Sequence, residues 1–313
     1  MFKLKLAAGG LKGYVPFLAR YRGGTGGANS SRYCYSVWMR HLVLSRNAGY
    51  TGPMDTIVEL GPGDSIGVGV AGLLSGGRRY LALDVIEHAD DKTNLAVLDD
   101  LVQLFERREP IPGENEFPGL YPLLPDYSFP SRYLSREQIN SALAPDRVAR
   151  IRASIENSRN GSPESMIRYV CPWYDDSLAE AASVDVILSQ GALQDIEHLD
   201  HAYSVLTKWL KPGGVMSHQI DFSFPGTGRY WNEHWSYSDL FWKTARGNRP
   251  YYFNRLPYSR YLELSAQYGH RVLQTLGVKS RPNLPRANAT PRFRKLSDED
   301  FATWAGYLLT RKN

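Results

Sequence analysis

Residues 58–65 read Val58-Glu59-Leu60-Gly61-Pro62-Gly63-Asp64-Ser65, an apolar run that ends in a carboxylate and then in a Gly-x-Gly turn. Glycines let the backbone come close to a ligand, and at the C-terminal end of a buried parallel strand they mark the crevice where α/β sheets bind adenosine-containing cofactors. Asp84 follows Gly63 by 21 positions, close to the ~20-residue interval at which an acidic side chain meets ribose hydroxyls. The dinucleotide fingerprint G-x-G-x-x-G is left incomplete because Ile66 stands at the third glycine position, so a diphosphate is not expected. A carboxylate just before the turn repels phosphate. Glu59 instead suits a cationic ligand, which it can orient directly or through backbone and water.

A second group of residues could move a proton. Ser217-His218-Gln219-Ile220-Asp221 ends a later strand, with His218 as a candidate general base and Asp221 as its orienter. Alternation along a strand turns the two side chains different ways, and only a bend at the strand's end brings both to one cleft. A structural histidine satisfied by backbone is the alternative. His198 and His201 share a helical face at a spacing of three, but Asp195, Glu197 and Asp200 beside them read as helix N-terminal acids, and no metal is expected. Trp231, Trp235 and Tyr237 can stack on a sugar or planar acceptor or form the private core of a lid. His234, in the same block, either touches an acceptor or packs at the surface. Cys34 and Cys171 are the only cysteines and can build neither a disulfide framework nor a cysteine zinc cluster.

These residues need an alternating strand-and-helix frame to hold them. Thr56 to Leu60 reads as a buried parallel strand, Ile66 to Leu74 as a helix stopped by Gly76-Gly77, and Tyr80 to Asp84 as the next strand, together a βαβ unit. Met166–Cys171 and Val184–Ser189 continue the strands. Leu199–Leu210 is an amphipathic helix ended by Lys211-Pro212-Gly213-Gly214, before the strand Val215–Ile220. Ser297-Asp298-Glu299-Asp300 starts a capped helix, and Gly306 to Arg311 is a last strand. Ahead of this frame, residues 1–50 form an extension with a Gly/Ser-rich piece at Gly23 to Ser31 and a docking helix over Tyr33 to Ser45. Residues 51–313 form the main domain, with insertions at about 90–165 and 222–262. The first carries helices near Asp99–Arg108 and Ala142–Glu156, and both are expected to cap the cleft.

In this order the motifs resemble those of the class I S-adenosylmethionine-dependent methyltransferases. The match rests on Glu59-Leu60-Gly61-Pro62-Gly63, Asp84, Val184-Asp185-Val186-Ile187-Leu188-Ser189 and Leu210-Lys211-Pro212-Gly213-Gly214, and spans Asp55 to Asp221 plus the final strand. The resemblance implies a Rossmann-like, doubly wound seven-stranded sheet whose last strand is antiparallel and lies beside Val215–Ile220. It implies S-adenosyl-L-methionine as cofactor, with Gly61 and Gly63 at its methionine part, Asp64 and Ser65 of the same turn also binding it, Asp84 on the ribose, Cys171 and Trp173 at the adenine edge, and Ser189 and Gln190 beneath it. Ser65 and the Gln190-Gly191-Ala192-Leu193-Gln194-Asp195 segment depart from the commonest pattern of the family. The insertions resemble a subgroup that methylates glycans or secondary metabolites, so a small-molecule or glycan-type acceptor, methylated at oxygen, is the expected partner.

Composition agrees with such a protein. The 313 residues are 42% hydrophobic and 22% charged, which suits one large α/β domain and excludes disordered and polytopic membrane chains. No run approaches the ~20 apolar residues of a membrane span, and a cytoplasmic location is expected. The net charge of +5 helps hold an anion without demanding nucleic acid. Basic residues gather near the ends, at Lys3, Lys5, Lys12, Arg20 and Arg22, and again at Lys279, Arg281, Arg286, Arg292, Arg294 and Lys295. A nucleic-acid methyltransferase and a non-catalytic binding protein of the same fold are the alternatives, the first requiring a continuous basic face around the cleft.

Overall fold

Thr56–Leu60 forms β1, whose β-branched and apolar residues suit a strand buried on both faces. In the computed structural model it lies in the interior of a seven-stranded sheet of order β3-β2-β1-β4-β5-β7-β6, between β2 and β4. The other strands are β2 (Arg79–Leu83), β3 (Ile167–Val170), β4 (Val184–Gln190), β5 (Leu210–Asp221), β6 (His270–Lys279) and β7 (Thr303–Lys312). Neighbours from β3 through to β5 pair in parallel, and β7 runs antiparallel to both β5 and β6. The expected sheet, with its antiparallel last strand beside Val215–Ile220, is present. The described residues are 2–12, 27–173, 175–224, 230–280 and 284–313, with no side-chain description for 2–5 and 12. Arg20, Arg22, Arg281 and part of the Gly23–Ser31 piece therefore fall outside them, as do the side chains of Lys3, Lys5 and Lys12.

Alternation along the strands divides the core in two. Ile57, Tyr80, Ala82, Ile167, Val186 and Tyr307 face one side, under α2 (Ser31–Asn47), α3 (Gly67–Leu74), α4 (Asp91–Glu106), α5 (Arg136–Ala142) and α6 (Pro145–Glu156). Val58, Leu60, Leu83, Ile187, Met216 and Leu308 face the other, under α7 (Leu199–Trp209) and α9 (Tyr258–Gln267). The docking helix α2 begins at the N-cap Ser30, whose hydroxyl accepts from the Tyr33 amide. Its burial exceeds the expected single face: every residue from Cys34 to Ser45 is buried. Its polar side chains must then find partners inside the protein.

The crossover from β2 to β3 runs through residues expected as an insertion. Within it α4 starts at its Asp90 cap, earlier than the expected Asp99, and α4 and α6 pack in the same core as α2 and α3. The helices α1 (Phe2–Lys12) and α8 (Asp239–Arg246) cross closely, because a Cβ on Gly10 would stand 2.6 Å from the Ala245 carbonyl oxygen. That contact overrides the poor helix propensity of Gly9 and Gly10. The short helices α10 (Pro291–Arg294) and α11 (Asp298–Ala302) lead into β7, and Ser297 caps α11 as its sequence signals. Strand β6 was not foreseen. It is a half-exposed edge strand containing Arg271, Gln274, Thr275 and Gly277, without an apolar run to announce it.

Candidate functional site

The C-terminal end of β1 passes into the turn Gly61-Pro62-Gly63, where both glycines take positive φ, +67° and +73°. Only glycine adopts these angles without strain. A Cβ on Gly61 would also lie 2.6 Å from the Ala192 Cβ, so the turn touches the segment that follows β4. Asp84, at the end of β2, reaches across to it: Oδ2 accepts from the Gly63 amide at 3.4 Å and Oδ1 from the Val85 amide at 2.7 Å. The carboxylate is 7% exposed, and burial raises its pKa above the ordinary value despite these amides. The Trp173 amide donates to the Asp84 carbonyl at 3.0 Å, which brings the Cys171–Trp173 segment to the same crevice. Cys171 is half-buried, with its thiol pushed up to about 11 by burial, and Trp173 packs partly into the α7-side core.

Other expected ligand-binding side chains turn away from the crevice. Glu59 is buried, accepts from the Tyr80 hydroxyl at 2.5 Å and is pushed up to about 7 by desolvation. It lies in the layer beneath the turn. Gly69 permits this pair, because a Cβ there would collide with the Tyr80 ring. Ser65 is fully buried, donates to the Ala28 carbonyl and accepts from the Gly67 amide at 3.2 Å, so it anchors the segment before α2 and does not face a ligand. Asp64 lies half-buried on the turn. Ser189 points to the α7 side and bonds to His218. Gln190 donates to the Tyr121 carbonyl at 2.9 Å, and its Oε1 lies 3.3 Å from His41.

The pairing of His218 with Asp221 does not form. Strand alternation holds through the end of β5 and puts them on opposite faces. His218 is 1% exposed, its Nδ1 lies 2.9 Å from Ser189 Oγ, and burial lowers its pKa to about 3. Its Nε2 is buried with no hydrogen-bond partner. It is thus a neutral core histidine. His218→Ala is expected to cost roughly 2–4 kcal/mol of stability, as for other buried truncations, and to leave the turnover of the folded fraction within about threefold. Chemical denaturation and a rate per folded molecule check this, and a hundredfold rate loss would restore His218 to the chemistry.

On the α2 side, Gln219 and Asp221 meet the segment after β4. Gln219 Nε2 donates to Asp221 Oδ1 at 2.9 Å, and the Asp221 amide donates to Gln194 Oε1 at 3.4 Å. Asp195, expected as a helix-end acid, lies next to this group, its carboxyl pushed up to about 7 by burial and by the charge of Asp221. The sequence assigns no site role to Gln194, Asp195 or Gln219; their signals are position at the ends of β4 and β5 and, for the first two, a segment that departs from the commonest family pattern. Tyr33 stands nearby: the charge of Asp221 contributes to its raised pKa, and its ring meets Phe117 edge-on at 5.7 Å. Among the described residues Glu59, Asp84, Asp195 and Asp221 form no ion pair with a lysine or arginine. A cavity of about 820 Å³, lined by Leu44, Tyr121, Leu124, Leu276 and Tyr307 among others, opens beside β6 and β7 and has no glycine-turn residue in its wall.

The aromatic block is its own core. Trp235 is buried and stacks on Phe293, while Tyr237 packs with Trp242, so neither offers a face to a sugar. His234 lies fully buried among Trp235, Trp242 and Phe253, at neither an acceptor site nor the surface. His201 pairs with Asp176, and the described residues contain no cluster of three or more metal-binding side chains. Of the basic residues near the C-terminus, Lys279, Arg286 and Arg292 pair with acids. No helix among the described residues is long and apolar enough to cross a membrane.

No protein-family model matches this chain, and no curated protein matches it in sequence. Solved structures similar to it include a candidate sarcosine dimethylglycine methyltransferase from Galdieria sulphuraria, at 12% identity and a TM-score of 0.45, over 88% of this chain and 85% of that one. Phosphoethanolamine N-methyltransferase 2 from Haemonchus contortus, in complex with S-adenosyl-L-methionine, is 13% identical with a TM-score of 0.43, over 95% of this chain and 59% of that one. An S-adenosylmethionine-dependent methyltransferase from Mesorhizobium loti is 16% identical with a TM-score of 0.39, over 85% and 96%. At these values the likeness transfers no residue role and no substrate to this chain.

Proposed function

We propose that this protein is a methyltransferase that uses S-adenosyl-L-methionine and methylates an oxygen of a small-molecule or glycan-type acceptor. The carrying observation is the crevice itself: a positive-φ glycine turn braced by Asp84, with Glu59 buried beneath it and Asp195 and Asp221 beyond the next strand, four carboxylates that form no ion pair with a lysine or arginine among the described residues. Such a site disfavours a diphosphate and favours an adenosyl ligand carrying positive charge. In this reading the glycine turn takes the methionine part, Asp84 the ribose hydroxyls and the Cys171–Trp173 segment the adenine edge. Bound there, S-adenosylmethionine supplies a methyl group activated by positive sulfur. The chain's own contribution is alignment, exclusion of water and a place for the acceptor's proton.

Calorimetric titration tests this reading. S-adenosylmethionine is expected to bind more tightly as pH rises from about 6 to about 8, with proton release, because a cation favours the ionised forms of Glu59 and Asp195. Absence of binding by both this compound and S-adenosylhomocysteine to the folded protein would refute the reading. Binding without any acceptor-dependent release of S-adenosylhomocysteine would leave a binding protein only.

A further inference from the structure

Gly191, the first residue after β4, takes φ +64° and carries no side chain where three polar atoms converge. The point where its Cβ would stand lies 3.6 Å from Asp221 Oδ2, 3.6 Å from Gln219 Oε1 and 3.7 Å from Gln194 Nε2. The two amide side chains are 4% and 7% exposed, and existing bonds fix their orientation. Gln219 spends its Nε2 on Asp221 Oδ1, which leaves Oε1 facing the notch without a donor among the described residues. Gln194 Nε2 gives one hydrogen to the Gly191 carbonyl at 2.6 Å and has a second to offer, while its Oε1 receives the Asp221 amide. The notch thus presents two acceptors, one of them a carboxylate, and one donor. It lies one residue from Ala192, which touches the glycine turn.

We propose that this notch above Gly191 holds the acceptor's hydroxyl group and that Asp221 is the catalytic residue receiving its proton. The inference rests on the reading of the crevice as a methyl-donor site. A hydroxyl fits the donor count: its hydrogen goes to Asp221 Oδ2, one lone pair accepts from Gln194, and a second lone pair stays free to attack. A neutral amine has a single lone pair, which Gln194 would occupy, so the notch selects alcohols or phenols. In the reaction the acceptor oxygen forms the new O–C bond as the C–S bond breaks with its electron pair remaining on sulfur, and the hydroxyl proton passes to Asp221. Burial holds the Asp221 carboxyl above its ordinary pKa, which suits it to take up a proton. The titratable groups near it are Asp195 after β4 and Tyr33 on α2, and its β7 neighbour in register is Ala305. Gln219 and Gln194 are positioning residues.

The test uses the full chain, a panel of alcohols and phenols, and amines matched to them carbon for carbon. Label transfer from methyl-tritiated S-adenosylmethionine gives the rate, and calorimetry on the S-adenosylhomocysteine complex gives acceptor affinity. Hydroxyl compounds are expected to be labelled, with Asp221→Asn slowing transfer at least a hundredfold while changing S-adenosylmethionine affinity by less than threefold. Gln194→Leu is expected to weaken binding of the same acceptor about tenfold with cofactor affinity unchanged, a split that mere loosening of the fold would not produce. Labelling of amines alone, labelling of no panel member by cofactor-bound protein, or a wild-type rate in folded Asp221→Asn would each overturn the inference. Methyl transfer from S-adenosylmethionine survives the first and third of these outcomes, the first without its oxygen acceptor. It fails separately if the cofactor does not bind.

Discussion

Asp84→Ala is expected to weaken S-adenosylmethionine binding by roughly 10²–10³, equivalent to about 3–4 kcal/mol. Two losses combine. A carboxylate accepting from both ribose hydroxyls makes charge-assisted hydrogen bonds, the stronger kind in a partly dehydrated crevice. The same carboxylate also braces the turn, since Oδ2 accepts from the Gly63 amide at 3.4 Å while the backbone of Val85 holds Oδ1. Without it the turn must be ordered at the expense of ligand binding. Asp84→Asn separates the two effects, because its oxygen can still accept from the Val85 amide while the charge is gone. An intermediate loss of about tenfold is expected there. Calorimetry on all three proteins provides the measurement, and wild-type affinity in folded Asp84→Ala would remove the ribose from this position.

Arg40→Ala is expected to destabilise the protein by roughly 3–5 kcal/mol, enough to unfold a marginally stable domain at moderate temperature. The guanidinium is fully buried within α2. It donates to the carbonyls of Leu120 at 2.9 Å, Pro122 at 2.6 Å and Pro112 at 3.2 Å, and to Ser36 Oγ at 3.1 Å. Its Cζ also lies 5.1 Å from the centre of the Tyr127 ring. Burial lowers its pKa, yet no acid pairs with it among the described residues, so carbonyl dipoles and a ring hold the charge. Truncation leaves three carbonyls dry and a cavity beside them. It also frees the 112–127 segment, which supplies Phe117 beside Tyr33 near the proposed acceptor notch. Arg40→Lys restores the charge but not the fork of donors and should recover less than half of the loss. Urea melts measure the stability, and limited proteolysis within 112–127 should accelerate in both variants. Equal stability of wild type and Arg40→Ala would show that α2 does not depend on this side chain.

The contrast between His218 and Asp221 shows how far pattern reading reaches. The sequence correctly put both at the end of β5 and correctly raised alternation as the obstacle to their pairing. What local pattern lacked was the neighbour on each side: Ser189 for the histidine, Gln219 and the Gly191 notch for the aspartate. The burial of Trp235 and Tyr237 follows the same logic, since an aromatic cluster reads alike whether it lines a pocket or fills its own core.

Local pattern alone specifies the β1–α3–β2 unit, the glycine turn with Asp84, the stop after α7 and the capped start of α11. Each is set by residues within a few positions of one another, through side-chain periodicity, capping and the φ preference of glycine. Long-range packing sets the edge strand β6, which exists because β7 offers it a partner; the helix through Gly9 and Gly10, which α8 stabilises; and the side chains that meet at the Gly191 notch. Those outcomes depend on contacts between segments far apart in the chain. Their energies exceed local propensity and leave no local trace.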